Sequence, residues 1–284
     1  MNDPVPASAA PGLRPLSAEE IAQRSSSFGQ DASLYERYRL GPPVEAVEWL
    51  LAEKPSTVID LGAGTGALSR LLVDRCTSVI AVEPDNRMRV VLEQNLPAVI
   101  TVAGRGESMP LPDDSADAIL ASSSWHWVEA VPGLREVARV LAPGGTFGAV
   151  WTGPDPEGPF LMQARALLAA ETATNNEDGP AVGSSDIAEM VLDGQRFETA
   201  LTIPDGQPFA EPVQQVLHWD VALNADELIG LLSTFSWIIL LPEGQRAAVL
   251  AEARRILRDG LGIAGEITVD VAYRSEAWRT RLLG

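Results

Sequence analysis

The chain has 284 residues, 46% of them hydrophobic, a formal charge of −18 and a pI near 4.4. That length suits one large domain, or one domain with a sizeable insertion. Lys54 is the sole lysine, and the arginines at 246–258 recur at spacings for the wet side of a helix, so no basic face offers itself to nucleic-acid phosphates. The single Cys76 excludes an intrachain disulfide, and two isolated histidines, His126 and His218, do not make a zinc site; no metal is expected. The apolar run at 228–241 is 14 residues long with polar interruptions, short of the roughly 18 that span a bilayer. Residues 1–15 read as a disordered tail rich in Pro, Ala and Ser, without the basic-then-apolar order of a secretory signal. A cytoplasmic protein binding neither nucleic acid nor membrane is the expectation, and oligomeric state is not encoded legibly.

Along the chain, Ser17 and Glu20 match a capping box for a short helix, and Asp31 offers a cap for a second through Tyr35 and Arg39. Pro42 and Pro43 open a third, with Val44, Val47, Leu50 and Leu51 at helical spacing. Strands are predicted at 57–61, 78–83, 98–102, 117–121 and 145–151, with helices at 66–75, 86–95 and 132–141 between them. That alternation predicts an α/β, doubly wound, mostly parallel sheet with helices on both faces, occupying 16–152 with its leading helices. After Trp151 the rhythm breaks, and the turn-rich stretch 153–212 around FLMQARALLAA reads as an inserted cap. Residues 213–284 complete the sheet, with a strand near 213–221, helices from about 225 and at 243–259, and a strand at 265–273.

The stretch VIDLGAGTG (58–66) puts glycines at alternate positions between a strand and a helix. Gly62, Gly64 and Ala67 also satisfy the G-x-G-x-x-A dinucleotide fingerprint, and a bare tight turn is the bland alternative. The next strand ends in Glu83, followed by Pro84 and Asp85. A carboxylate there can accept from both hydroxyls of a ribose, while Asp85 is the better helix cap, so an adenosine-containing cofactor is favoured.

VIDLGAGTG, AVEPD, GRGESMPLPDDSADAILASSSWHWV and ARVLAPGGTFGAVW, in that order and spacing, resemble the class I S-adenosylmethionine-dependent methyltransferases. The closest likeness is to the small-molecule group that includes trans-aconitate-type enzymes, and the lead-in SSSFGQDASLYERYRLGPP and the segment 224–246 are similar to it as well. The resemblance implies a seven-stranded Rossmann-like sheet whose last strand, at 265–273, is antiparallel. It also implies S-adenosylmethionine as cofactor and a small-molecule methyl acceptor as partner. Asp60, Gly62, Ala63, Gly64, Thr65 and Gly66 would wrap the methionyl part, and Glu83 with Pro84 would hold the ribose. Gly106 and Glu107 would flank the adenine, and Ser122 and Ser123 would face the sulfonium. Arg105 stands where many relatives carry an acid, and a guanidinium cannot accept from the adenine amino group, so backbone or Glu107 contacts would have to replace that bond.

Methyl transfer from a sulfonium needs alignment more than acid or base. His126, in SSSWHWVE beyond the fourth strand, is the one histidine placed to act as a base; the plainer reading, that it packs and hydrogen-bonds beside its tryptophans, takes precedence. Tyr35 and Arg39 lie four apart on one helical face, where Arg39 could pair with a carboxylate of cofactor or substrate, or merely with Glu36. Phe28, Trp125, Trp127, Trp151, Phe160 and Met162 are the candidates for an apolar substrate wall. Two rival readings stay open: an NAD-linked oxidoreductase, resting on the G-x-G-x-x-A pattern alone, and a cofactor-binding protein without catalysis.

Overall fold

The computed structural model describes residues 19, 23–24, 27–51, 54–174 and 199–284. The 1–15 tail, the Ser17/Glu20 capping box and 175–198 of the inserted segment lie outside the described residues. Two helices, α1 (Ala32–Tyr38) and α2 (Val44–Leu51), lead into β1 (Thr57–Leu61). A 3-10 turn over Phe28–Asp31 runs directly into α1, and the side chain of Asp31, the expected cap, lies outside the described residues. Then follow α3 (Ser69–Leu72), β2 (Ser78–Val82), α4 (Asn86–Asn95), β3 (Ile100–Val102), β4 (Ala116–Ser122), α5 (Ala130–Val140) and β5 (Leu141–Pro154).

The chain continues with α6 (Pro159–Thr174), β6 (Val213–Asn224), α7 (Ala225–Ser233), α8 (Ser236–Ile239), α9 (Glu243–Arg255), a π turn over Ile256–Gly260, and β7 (Thr268–Arg281). The seven strands form one sheet in the order β3-β2-β1-β4-β5-β7-β6. β1 to β5 pair in parallel, and β7 runs antiparallel to both β5 and β6.

Alternation along the strands divides the core between the two faces. Ile59, Leu61, Ile119, Phe147 and Ala149 meet Leu134, Val137 and Val140 of α5 on one side. Val58, Ala118, Leu120 and Val150 meet α2, α3 and α4 on the other. A third cluster joins Phe160 of α6, Ile229 and Leu231 of α7, Leu257 of the π turn, and Val271 and Tyr273 of β7. Among the described residues no helix is long and apolar enough to cross a membrane.

The largest departures from the predicted elements lie at the glycine loop and at the far edge of the sheet. The helix expected over 66–75 shrinks to Ser69–Leu72, because Gly62, Gly64 and Gly66 all take positive φ and hold the chain in a loop. The final strand is longer and later than 265–273, and β6 runs three residues past 221. Beyond Ser122↔Val150, where pairing with β4 ends, β5 continues to Pro154 paired with β7 alone. The sheet therefore steps upward beside the end of β4, and β6 joins β7 along the extension. Open α/β sheets bind ligands at the carboxyl ends of strands where the winding reverses, here between β1 and β4.

Phe147 is the largest of the side chains sealed completely in the core, packed edge-on to Trp125 at 4.7 Å and beside Phe209 at 6.3 Å. Phe147→Ala is expected to cost about 3–5 kcal/mol in denaturant unfolding. A cost under about 1 kcal/mol would mean that the core on this face is not assembled as described.

Candidate functional site

Two cavities open at the step in the sheet. The smaller, of about 160 Å³, runs along the glycine loop. Gly62 N–H and Ala63 N–H both donate to the Val82 carbonyl, pinning the loop over β2. A side chain at Gly62 would run into Ser124, 2.6 Å from its Cβ position, so this glycine is required by packing. Gly64 is different: with φ of +57°, its Cβ position meets nothing closer than the Tyr35 ring edge at 4.0 Å. The loop backbone is thus bare toward the cavity at Gly64. Gly66 does not line it; its Cβ position faces Leu92 and Leu96 of the α4 side, so it shapes the turn instead of the cleft. Ala63 and Thr65 complete the lining on this side.

Two carboxylates sit beneath the loop. Asp60, 1% exposed, accepts from Ser69 Oγ at 2.7 Å through Oδ2, while its buried Oδ1 has no partner. Burial is the main cause that raises its pKa to about 7; the Ser69 bonds offset part of the shift and the Glu83 charge adds to it. Glu83, 8% exposed, accepts from Gly64 N–H at 2.9 Å and from Asp85 N–H at 2.8 Å. Burial raises its pKa too, against the pull of those two bonds. Asp85 caps α4 by accepting from Arg87 N–H, as its position predicted, which leaves Glu83 to the cavity. Pro84 lines the cavity beside it.

Across the cleft, Gly104 to Glu107 form the opposite wall, closed by a bridge between Arg105 and Ser108. Gly106 lets Val128 approach within 2.6 Å of its Cβ position, and the Glu107 carboxylate accepts from Glu129 N–H at 2.8 Å. Ser122 ends β4 on the cleft, and Ser123 follows with φ of +49°, its N–H donating to the Val150 carbonyl. A non-glycine residue held in the left-handed region is a strained position of the kind that clusters at functional sites.

The larger cavity, of about 380 Å³, lies under β5, α6, α7 and the π turn. It falls in the range of small-molecule sites. Phe28, Tyr35, Arg39, Ser123, Trp127 and Thr152 line both cavities, so the two meet there. Trp151 and Phe160 belong to the larger wall as predicted candidates. Trp125 does not: its ring is buried on Phe147, and it is core rather than wall. Met162, 53% exposed, also stands outside the cavity lining.

His126 lines the larger cavity and accepts a hydrogen bond at Nδ1 from the Trp151 indole N–H at 3.0 Å. Burial, helped by the Arg39 charge, pushes its pKa down to about 3. The ring is therefore neutral near pH 7, and with Nδ1 accepting, its proton resides on Nε2. Such an imidazole donates at its other nitrogen and is a poor base. His218 stands apart, mostly exposed, 3.1 Å from Asp155.

The surface ion pair between Arg39 and Glu36 is not formed. Glu36 is engaged by Arg70 and by Asn95 Nδ2 at 3.4 Å. Arg39 instead lies over the Phe235 ring at 4.5 Å and near the Tyr35 ring at 5.7 Å. Sequence reasoning missed Thr152, Arg274, Glu276 and the wall from α7 and the π turn. Their signal was the even apolar–polar alternation of β7, but its pairing beside β5 is a long-range fact that no local pattern carries.

Residues 59–149 match a family model described as a methyltransferase domain. The chain is 34% identical over 258 residues to an uncharacterized methyltransferase of Mycobacterium bovis, covering 91% of this chain and 96% of that one. It is 27% identical over 266 residues to a methyltransferase-like protein of Schizosaccharomyces pombe, covering 92% and 96%. A solved chain from Anaeromyxobacter dehalogenans, assigned as a type II methyltransferase, superposes with a TM-score of 0.62 at 25% identity, covering 87% and 99%. With the glycine loop, the paired acids and the sheet order in place, the chain belongs to the class I S-adenosylmethionine-dependent methyltransferase family.

Proposed function

We propose that the protein binds S-adenosylmethionine in the smaller cavity and methylates a small molecule held in the larger one. The observation that carries this reading is the junction: a cleft floored by desolvated acids opens, through Ser123 and Thr152, into a mainly apolar chamber. The residues present fit the cofactor. The unpartnered Asp60 Oδ1 suits an ammonium group, and the open face of Gly64 admits a ligand against the backbone. Glu83 keeps lone pairs for ribose hydroxyls beyond the two peptide N–H groups it already accepts from. Bound there, the cofactor supplies a methyl carbon activated by a sulfonium, so transfer depends on alignment.

The chain's own part is to bind, orient and exclude water. Ser123, fixed by its bond to Val150, and Trp127 hold the passage between the cavities. Phe28 packs edge-on to both Tyr35 at 5.5 Å and Trp127 at 5.8 Å, closing the junction from the side of the leading helices. Calorimetric titration with S-adenosylhomocysteine and with NAD, followed by a turnover screen with a labelled methyl donor, tests the reading; tight NAD binding with no affinity for S-adenosylhomocysteine would sink it.

Glu83→Gln should weaken S-adenosylhomocysteine binding about tenfold or more, since charge-assisted bonds are worth roughly 1.5–3 kcal/mol. Unchanged affinity in a folded variant would remove the ribose role.

Asp60 sets function against stability. Its pKa rises from 3.8 unfolded to about 7 folded, so the folded protein binds more protons across that window. Stability from this group is therefore lost as pH rises from about 4 to 7. Asp60→Asn should stabilise the empty protein by on the order of 2 kcal/mol at pH 8, with little gain at pH 4, while cofactor affinity falls. A variant less stable at pH 8 than the parent would show that the carboxylate is not desolvated as described.

For His126 the sign is opposite: its pKa is depressed, so its contribution is present above the unfolded value of 6.5 and is lost as pH falls toward about 3. His126→Asn should lower the melting temperature through the weakened Trp151 bond, yet keep turnover within a few-fold and remove no limb of the pH–rate profile near 6.5. A turnover loss of about 10²-fold or more in a stable His126→Asn protein would make the imidazole a base.

A further inference from the structure

Arg39 carries a charge that the protein does not answer. Its Nε is buried without a partner, and Nη2 reaches the Thr234 carbonyl only at 3.5 Å. Among the described residues no carboxylate forms an ion pair with it. The stacking on Phe235 and Tyr35 holds the guanidinium in place but supplies no negative charge. A half-buried cation held in place without a counter-charge suits an anion from the ligand.

Two ligands meet at the junction, and the geometry separates them. Tyr35 is the residue of α1 that faces the cofactor loop, next to the Gly64 Cβ position and within the field of Glu83. One turn later, Arg39 lines both cavities but lies closer over Phe235, which lines the larger cavity and not the smaller, than over Tyr35. Its charge reaches both sides: it adds to the burial that lowers the His126 pKa, and opposes the burial that raises those of Tyr273 and Tyr35. The rest of that chamber is mainly apolar, with Leu228, Leu231 and Leu232 of α7 facing Phe160, Trp151 and Leu257. Its other cation, Arg274, is already 3.2 Å from Glu276. One unanswered cation in an apolar chamber matches a monoanion better than a phosphate dianion.

We propose that Arg39 selects the acceptor: a carboxylate with an aliphatic body, its head on the guanidinium and its body in the larger cavity. This rests on the methyl-transfer reading for the meaning of "acceptor", but the binding site stands on its own observations.

The test is calorimetric titration of the full chain with octanoate, octan-1-ol and octylamine, with and without S-adenosylhomocysteine. Octanoate should bind at least about tenfold more tightly than the alcohol, and the amine should not bind measurably. From butanoate to octanoate, affinity should rise roughly threefold per methylene. Arg39→Met should lower octanoate affinity about tenfold and leave octanol within about threefold; Arg39→Lys should recover part of the loss. Equal binding of acid and alcohol by the parent protein would overturn the proposal without any variant. So would an Arg39→Met protein that keeps its preference for the acid while losing affinity for S-adenosylhomocysteine, which would put Arg39 on the cofactor's own carboxylate. Acid selectivity in a protein that ignores S-adenosylhomocysteine would sink the transfer reading and leave this site standing.

Discussion

The desolvation of two carboxylates at the ends of β1 and β2 is the constraint on which the site depends. Asp60 and Glu83 are both buried, and burial raises both pKa values. The protein compensates incompletely: Ser69 serves one oxygen of Asp60, and two peptide N–H groups serve Glu83. Those partners require the loop to curl back over β2, which in turn requires positive φ at Gly62, Gly64 and Gly66. The glycine spacing and the acids are thus one device. The loop gives Glu83 a donor, and Glu83 gives the loop a fixed point. What remains unsatisfied, chiefly Asp60 Oδ1, is a cost in stability that a ligand with donors and positive charge would relieve.

The second cavity exists because the sheet is uneven. β4 ends at Ser122, while β5 and β7 run on together, so a shelf stands above the strand ends. The shelf needs a cover, and α6, α7 and the π turn provide it through their own apolar cluster with Val271 and Tyr273. That cluster is separate from the two cores that clamp the sheet. Changes in the chamber wall can therefore alter what fits there without touching the glycine loop.

The parallel half of the fold was legible because its signals are local. Strand and helix periods alternate through 57–151, and turn residues mark each crossing. That the loop and Glu83 line one cleft was legible for the same reason, since a glycine at a strand end and an acid at the next strand end are positions within one crossover. Gly66 and Trp125 were misplaced because their roles are set by packing partners far along the chain: Leu92 and Leu96 for the glycine, Phe147 for the tryptophan. Thr152, Arg274 and Glu276 were missed because only the antiparallel insertion of β7 beside β5 brings them together at the larger cavity. The lengths of β6 and β7 were underestimated because antiparallel strands with alternating exposure carry a weaker apolar signal than buried parallel ones.

The same long-range pairing decides what His126 can do. Trp151 lies on the part of β5 that outruns β4, and its indole N–H reaches back to Nδ1 of His126. A hydrogen-bond donor at Nδ1 fixes the tautomer and, with burial and the nearby guanidinium, removes basicity. Arg39 thus has two consequences at once: it makes protonation of the imidazole unfavourable, and it makes an anion welcome in the chamber. Both draw on placing one half-buried cation where two cavities meet. A site arranged in this way favours an acceptor that arrives already negative, because burial leaves the histidine a poor base and the charge that adds to that effect is the same charge that would attract the acceptor.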